Sequence, residues 1–189
     1  MLGPVRRLNL GCGSVIFEGW DNADINIFEQ RNAIGDVLFP VSEGPTRTFR
    51  LDILEFPDLH TIGYYDYIFC NHMLSDFSHH ELPRVLINIK HMLQTGGTVH
   101  ILVPHIIMAM GAFFQNDVSW FPQGNDMPGI DERFCTFVTW FGESKSVFTP
   151  RYLLELGNRA GFSHVTAVPW GKDEHDDREK ESLVVEFTR

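Results

Sequence analysis

Cysteine is scarce in this chain, and it is not arranged as a disulfide framework or a metal site would need it. The three cysteines, Cys12, Cys70 and Cys135, are odd in number and widely spaced, and no C-x-x-C pair occurs. Unpaired thiols of this kind are typical of a reducing compartment. No positively charged, apolar and small-residue succession precedes the first predicted strand, so we expect an unexported, cytoplasmic protein.

Long apolar runs and basic clusters are missing too. The longest apolar stretch, residues 106–114, is much shorter than the roughly 20 residues of a membrane-spanning helix, so we expect no membrane partner. The formal net charge is −10 and Lys and Arg form no stripe, which argues against a nucleic acid as partner. A length of 189 residues without repeats favours a single domain, 1–189.

Hydrophobic patterns predict alternating strands and helices in the first half of the chain. Ser78 and Glu81 have the spacing of a capping box at a helix start, and Gly96-Gly97 is typical of a helix end. The apolar face of this helix comprises Leu82, Val85, Leu86, Ile89, Met92 and Leu93. Predicted strands cover residues 7–10, 22–25, 48–51, 65–70 and 98–103. The last two strands and the helix between them form a βαβ unit, so these strands should be parallel.

The end of the chain is regular again. Thr149 and Pro150 are typical of a helix start, and Gly161 of a helix end. Residues 165–168 and 183–187 predict two strands, joined by a charged loop at 172–181, that pair as an antiparallel hairpin at the sheet edge. The whole pattern predicts an α/β fold, a three-layer Rossmann-like sandwich with a mostly parallel sheet.

Candidate binding residues follow the first three predicted strands. In an open parallel sheet the ligand binds beyond the carboxyl ends of the strands. Gly11 and Gly13 allow a turn tight enough for backbone N–H groups to approach a ligand. Asp24, at the end of the second strand, can accept both hydroxyls of a ribose, and Asp52, after the third, can accept a hydrogen bond from the adenine amine. Together these loops indicate a ligand that contains adenosine.

The connection after Gly13 distinguishes between two ligands of this kind. A dinucleotide needs its pyrophosphate at the N-terminus of a full first helix. Residues 14–21 leave room for only about one or two helical turns, and the third glycine of the dinucleotide fingerprint is absent. S-adenosylmethionine (SAM) has no phosphate and fits better, with its amino-acid end over the Gly11 turn and near Asn71.

These motifs resemble the small class I SAM-dependent methyltransferases of the methyltransferase-11-like type. The resemblance is carried by residues 8–13, 19–20, 22–25, 51–53, 65–68, 83–86, 96–98, 103–104, 148–150 and 160–162. It implies a seven-stranded sheet of order 3-2-1-4-5-7-6 with the last strand antiparallel. It also implies that the Gly11 loop holds the methionine part of SAM, Asp24 the ribose, and Asp52 with Ile53 the adenine. The predicted cofactor-binding residues are Asn9, Gly11, Cys12, Gly13, Asp24, Ile25, Asp52, Ile53 and Asn71.

His72 is the candidate catalytic residue. It follows the fourth strand, and a histidine titrates close enough to neutrality to act as a general base, although a packing or cofactor contact is the alternative. Relatives commonly carry a Glu-His pair after this strand, where this chain has Ser75-Asp76. His79 and His80 open a predicted helix and cannot easily aim at one ion with His72, so we predict no metal site.

Residues 104–148 form an aromatic-rich insertion. Its aromatic residues include Phe113, Phe114, Trp120, Phe121, Phe134, Phe137, Trp140 and Phe141. So long a connection is often a functional lid, and the alternative is a satellite core; we expect a segment that is both. An aromatic, mostly uncharged pocket would suit a small or partly apolar acceptor.

The sequence thus predicts a methyltransferase that moves the SAM methyl group to a small molecule by direct displacement, mainly by holding the reactants in line. One alternative is a SAM- or nucleoside-binding protein without catalysis, which the Ser75-Asp76 departure keeps open. A second is a small NAD-dependent enzyme, which the short first helix disfavours.

Overall fold

Seven strands of the chain form one large sheet, and the helices are connected to it. The computed structural model describes residues 5–27, 30–31, 37–38, 46–122, 127, 129–139, 142–169 and 181–189, so most of the predicted charged loop lies outside the described residues. In chain order the strands are β1 (Arg7–Leu10), β2 (Asp21–Asp24), β3 (Gln30–Arg31), β4 (Val37–Leu38), β5 (Arg47–Arg50), β6 (Tyr65–Asn71), β7 (Leu93–Pro104), β8 (His164–Val168) and β9 (Ser182–Thr188). The helices are α1 (Leu59–Ile62), α2 (Leu82–Met92), α3 (Ile106–Phe114), α4 (Ile130–Thr139) and α5 (Pro150–Arg159), with 3₁₀ turns at Met73–Asp76 and Val118–Trp120.

The large sheet has the predicted topology. Its seven strands lie in the order β5-β2-β1-β6-β7-β9-β8. Numbered within this sheet alone, the order reads 3-2-1-4-5-7-6, which confirms the prediction. β9 is antiparallel to β7 and β8, whereas the other neighbouring pairs are parallel. The strand order reverses between β1 and β6, so a crevice opens beyond their carboxyl ends.

Helix α2 buries the apolar face that the sequence predicts. Its buried apolar residues are Leu82, Val85, Leu86, Ile89 and Met92, each fully inaccessible to solvent. They share one core with Leu153 and Leu156 of α5 and with α1. Burying one side chain of this size contributes about 1.5–3 kcal/mol, so this shared core fixes α2 and α5 on the sheet.

The boundaries of α2 differ from the prediction at both ends. Only the carboxylate half of the capping box forms: Glu81 accepts the Ser78 N–H (2.8 Å), but the Ser78 hydroxyl donates to the same carboxylate instead of capping a helical N–H. At the other end β7 already begins at Leu93, so the prediction that Gly96-Gly97 ends the helix is wrong. Gly97 lies within β7, where a Cβ would come within 3.0 Å of two backbone carbonyl oxygens. This close backbone approach is what requires a glycine.

The opposite face of the sheet carries a separate cluster. Neighbouring residues of a strand point to opposite faces, so Leu102 and Val184 face away from the core that Ile101 and Val185 join. Leu102 and Val184 pack with Phe69 and with Trp20, which lies in the connection from β1 to β2. Within the described ranges, no helix is long and apolar enough to cross a bilayer.

Candidate cofactor site

A cavity of about 360 Å³ lies at the carboxyl ends of the strands. Three loops that follow β1, β2 and β5 form one side of it, through Gly11, Asp24 with Ile25, and Asp52 with Ile53. The structure therefore brings together predicted cofactor residues from three separate strands. Its other side is formed by Met73, Asp76, Phe77, Glu81, Glu143 and Lys145.

The turn after β1 is tied to the end of β2. The N–H groups of Gly11 and Cys12 both donate to the Ala23 carbonyl oxygen, at 2.8 and 3.2 Å. Gly11 has φ +71°, and a Cβ there would lie 2.6 Å from the Cβ of Met73. Residues 14–20, which lead to β2, contain no helix, so even the short helix that the sequence allows is absent.

Asp24, the last residue of β2, connects this turn to the loop that follows β2. Its Oδ2 accepts the Gly13 N–H at 3.0 Å, and its Oδ1 accepts the Asn26 N–H at 2.7 Å. Each carboxylate oxygen has a second lone pair, so both can still accept a hydrogen bond from a ligand hydroxyl.

The loop after β5 is fixed from both sides. Asp52 Oδ1 accepts the Leu54 N–H at 2.9 Å, which closes the loop locally. The Asn88 side chain of α2 donates to the carbonyl oxygen of Ile53 at 2.7 Å, and Ile53 itself is buried. The position of Asp52 beside the cavity is thus set before any ligand binds.

Asp76 is a cavity residue whose role the sequence does not reveal. Desolvation in the cavity wall, together with the carboxylates of Glu143 and Asp24, raises the pKa of Asp76 to about 6, although Lys145 opposes the shift. The sequence marks this position only as a departure from relatives. The position of Asp76 could have been predicted from its place in the loop after the fourth strand of the sheet, since that loop lines the crevice in folds of this kind.

Four other predicted residues do not line the cavity. Asn9 is buried within β1, where its amide donates to the Val15 carbonyl oxygen at 2.8 Å. Cys12 is buried too, and desolvation followed by the nearby Asp24 raises the pKa of its thiol to about 11. Gly13 is exposed beside the cavity, and Asn71 is the last residue of β6. Their contacts with a cofactor stay predictions.

His72 is buried next to the cavity loops rather than in the cavity wall. It is 5% exposed, has φ +59°, and its Nε2 lies 3.1 Å from the Ser182 hydroxyl oxygen. Its predicted role as a general base is not tested by this placement. In the described residues, no group of three or more His, Cys, Asp or Glu side chains is arranged to hold a metal ion.

The aromatic insertion packs mainly against itself. Trp120, Phe121 and Phe137 are buried in one cluster with Phe113 and Phe134, whereas Trp140 and Phe141 lie outside the described residues. Phe77 is the single aromatic residue among the described cavity-lining residues, so the expected aromatic pocket for the acceptor is not this cavity and stays a prediction. Phe113, Trp120, Phe121, Phe134 and Phe137 pack in this separate cluster instead of lining the cavity. The lid function stays a prediction.

The end of the insertion does reach the cavity. We call residues 142–148 the strap. The N–H groups of Lys145 and Ser146 donate to the Ser75 carbonyl oxygen at 2.8 and 3.1 Å, and the Ser146 hydroxyl donates to the Phe77 carbonyl oxygen at 2.6 Å. These bonds hold the strap against the loop after β6, which places Glu143 and Lys145 in the cavity wall.

Comparisons with known proteins give matches in structure rather than in sequence. No protein-family model matches the chain, and no curated protein does. Similar solved structures include a candidate O-methyltransferase from Nostoc punctiforme (14% identity, TM-score 0.58) and an O-methyltransferase family protein from Burkholderia thailandensis (12%, 0.55). The CurJ carbon methyltransferase is also similar (14%, 0.57).

These matches cover 100%, 98% and 99% of this chain, respectively, but only 53%, 51% and 50% of the matched chains. The chain thus spans about half the length of these structures. At such low identities, the likeness shows the fold.

Proposed function

We propose that this chain, which has the fold of the class I methyltransferases, binds SAM and transfers its methyl group to a small-molecule acceptor. The observation that carries the proposal is the convergence of Gly11, Asp24 and Asp52, each from a different strand end, on one cavity at the point where the strand order reverses. The similar solved structures are named as methyltransferases, which supports methyl transfer as the chemistry. We also propose a cytoplasmic location, as expected from the free cysteines.

The residues present suit SAM better than a dinucleotide. Asp24 can accept the ribose hydroxyls, Asp52 and Ile53 can bind adenine, and the turn at Gly11 can hold the methionine part. Asn71 Oδ1 is a buried oxygen with no hydrogen-bond partner in the described part of the chain. It lies outside the cavity lining, and it could accept from the ammonium group of SAM only if that group reaches past Met73 to the end of β6. Residues 14–20 offer no helix N-terminus for a pyrophosphate.

Catalysis would come from holding the acceptor molecule in line with the methyl group and from one side chain that accepts a proton. Bound SAM supplies a methyl group on a positively charged sulfur, which an acceptor lone pair can attack directly. The strap and the loop after β6 form the wall beside which the acceptor would be oriented. Asp76, with a pKa of about 6, is mostly ionised at neutral pH and can take a proton at its carboxylate. Its place in the cavity wall favours Asp76 over His72 for this step.

The binding half of the proposal is tested by calorimetric titration with SAM. Micromolar affinity is expected for the wild type, and Asp24→Ala should weaken it at least about tenfold, because hydrogen bonds to a charged group are lost. Asp24→Asn keeps an oxygen that can accept the Gly13 N–H. This variant therefore shows whether affinity is lost because the loop is disordered or because the ribose loses its contact with a carboxylate. Asp131→Ala, an exposed change in α4, is the control. Equal affinity in wild type and Asp24→Ala would contradict the assignment of Asp24.

A SAM- or nucleoside-binding protein without catalysis is the second candidate. The observation in its favour is that no histidine is among the described cavity-lining residues. Transfer of a labelled methyl group from SAM to small molecules of a cell extract distinguishes the two. Labelled product is expected for the methyltransferase, and SAM binding without transfer to any fraction would favour the second candidate.

A further inference from the structure

Carboxylates dominate the charge of the cavity wall. Five of them line it, and among the described residues a single cationic side chain, Lys145, faces them. The five are Asp24, Asp52, Asp76, Glu81 and Glu143. A cavity with this balance has a negative potential, which is strongest at low salt because Asp76, Glu143 and Lys145 are exposed to solvent.

Three of the five carboxylates have partners in the protein. Asp24 accepts the N–H groups of Gly13 and Asn26, and Asp52 accepts the N–H of Leu54. Glu81 accepts both the N–H and the hydroxyl of Ser78. These contacts give the three side chains a structural role in addition to any contact with a ligand.

Asp76 and Glu143 have no such partner. Neither makes a hydrogen bond or ion pair to another described residue. They come from two different segments, the loop after β6 and the strap, and hydrogen bonds from the strap to the Ser75 and Phe77 carbonyl oxygens hold those segments together. The two like charges are therefore kept near each other, and each raises the energy of the other. Lys145 offsets this repulsion only in part, because Glu143 raises the pKa of Asp76 more than Lys145 lowers it.

We infer that Asp76 and Glu143 are specificity-determining residues that make the cavity prefer a positively charged ligand, so that SAM binds more tightly than S-adenosylhomocysteine (SAH). This inference rests on the proposed function. SAM and SAH differ by one methyl group and one positive charge on sulfur, so their relative affinity reports the charge preference directly. A cavity of this kind would release the neutral product more readily than it releases the substrate.

The test is calorimetric titration of SAM and SAH into wild type, Asp76→Asn and Glu143→Gln at low salt and pH 8. The wild type should bind SAM more tightly than SAH. In each variant the ratio of SAM to SAH affinity should fall about fivefold, while the affinity for SAH changes little. Glu132→Gln, an exposed change in α4 outside the cavity wall, should leave the ratio unchanged.

A pH series gives a second readout that needs no variant. Desolvation and the charges of Glu143 and Asp24 raise the pKa of Asp76 to about 6 against the opposing Lys145, so lowering the pH from 8 to 5 protonates Asp76. The affinity for SAM should then fall relative to that for SAH, and this dependence should be lost in Asp76→Asn. Thermal melting confirms that each variant is folded.

The outcomes separate the two proposals. If both ligands bind but their ratio is the same in wild type and both variants, the charge preference is wrong and the methyltransferase proposal stands. If folded wild type binds neither ligand, the proposed function is wrong, and the charge preference falls with it.

Discussion

Asp21→Ala is expected to lower the free energy of unfolding by about 2–4 kcal/mol. Asp21 is nearly buried at the start of β2, where its Oδ1 accepts from Arg47 Nε (2.7 Å) and its Oδ2 accepts from Arg6 Nη2 (2.9 Å) and the Tyr65 hydroxyl (2.8 Å). Alanine would leave the fully buried Tyr65 hydroxyl and two guanidinium groups without this partner. The guanidinium side chains are 39% and 46% exposed, so water offsets part of their loss.

Denaturant unfolding at pH 7 measures this effect. Glu155→Ala is the control, because Glu155 pairs with Arg151 on the exposed surface of α5, where removing a pair changes stability by about 0.5 kcal/mol or less. Asp21 and Asp24 stand at opposite ends of β2, so SAM binding by the folded Asp21 variant should be unchanged. A loss of stability no larger than that of the control would show that the contacts of Asp21 contribute little.

The stability difference should depend on pH in a defined direction. Burial alone would raise the pKa of Asp21, but hydrogen bonds from Arg47 and Tyr65 and the charges of Arg47 and Arg6 outweigh it and lower the pKa. A carboxyl group with a lowered folded pKa contributes stability above its unfolded pKa of about 3.9 and loses it as the pH falls through the folded value. The gap between wild type and Asp21→Asn should therefore be full at pH 7 and shrink below about pH 4. A gap of constant size would contradict the assignment.

The fold could be predicted because its signals are local. Apolar and β-branched residues mark the predicted strands, and a periodic apolar face marks α2, so these elements are visible within their own segments. The sequence pattern does not predict α1, α3, α4, β3 or β4. The strand order, in contrast, came from the resemblance and not from any pattern. The end of α2 was missed because Gly96-Gly97 allows a close backbone approach in a strand as readily as it ends a helix.

The candidate site was predictable on one side only. Gly11, Asp24 and Asp52 directly follow their own strands, and the carboxyl ends of neighbouring parallel strands meet at one edge. Glu143 and Lys145 reach the same cavity through hydrogen bonds between the strap and a loop that is distant in the sequence, and no local pattern encodes such a contact. Asn9 belongs to the predicted site through its motif, but its side chain is buried and donates to the Val15 carbonyl oxygen, so its contact with a cofactor stays a prediction.

Gly11→Ala should have a comparably large effect on stability, and it should also weaken SAM binding. At φ +71° an alanine costs about 1–2 kcal/mol relative to glycine. Its Cβ would also lie 2.6 Å from the Cβ and Cγ of Met73, far inside normal contact distance, which adds about 1–3 kcal/mol of overpacking. Together these effects predict a loss of about 2–5 kcal/mol in the free energy of unfolding.

Gly13→Ala is the matched control, because it lies in the same turn at φ +52° but has open space around the new Cβ. It should show the backbone effect alone, whereas Gly11→Ala should also move Met73, which lines the cavity. Denaturant unfolding and SAM titration of both variants separate the two contributions. Equal stability of the two variants would mean that the 3₁₀ turn of Met73 yields to the extra carbon without strain. The close approach of Gly11 would then not be what shapes the cavity.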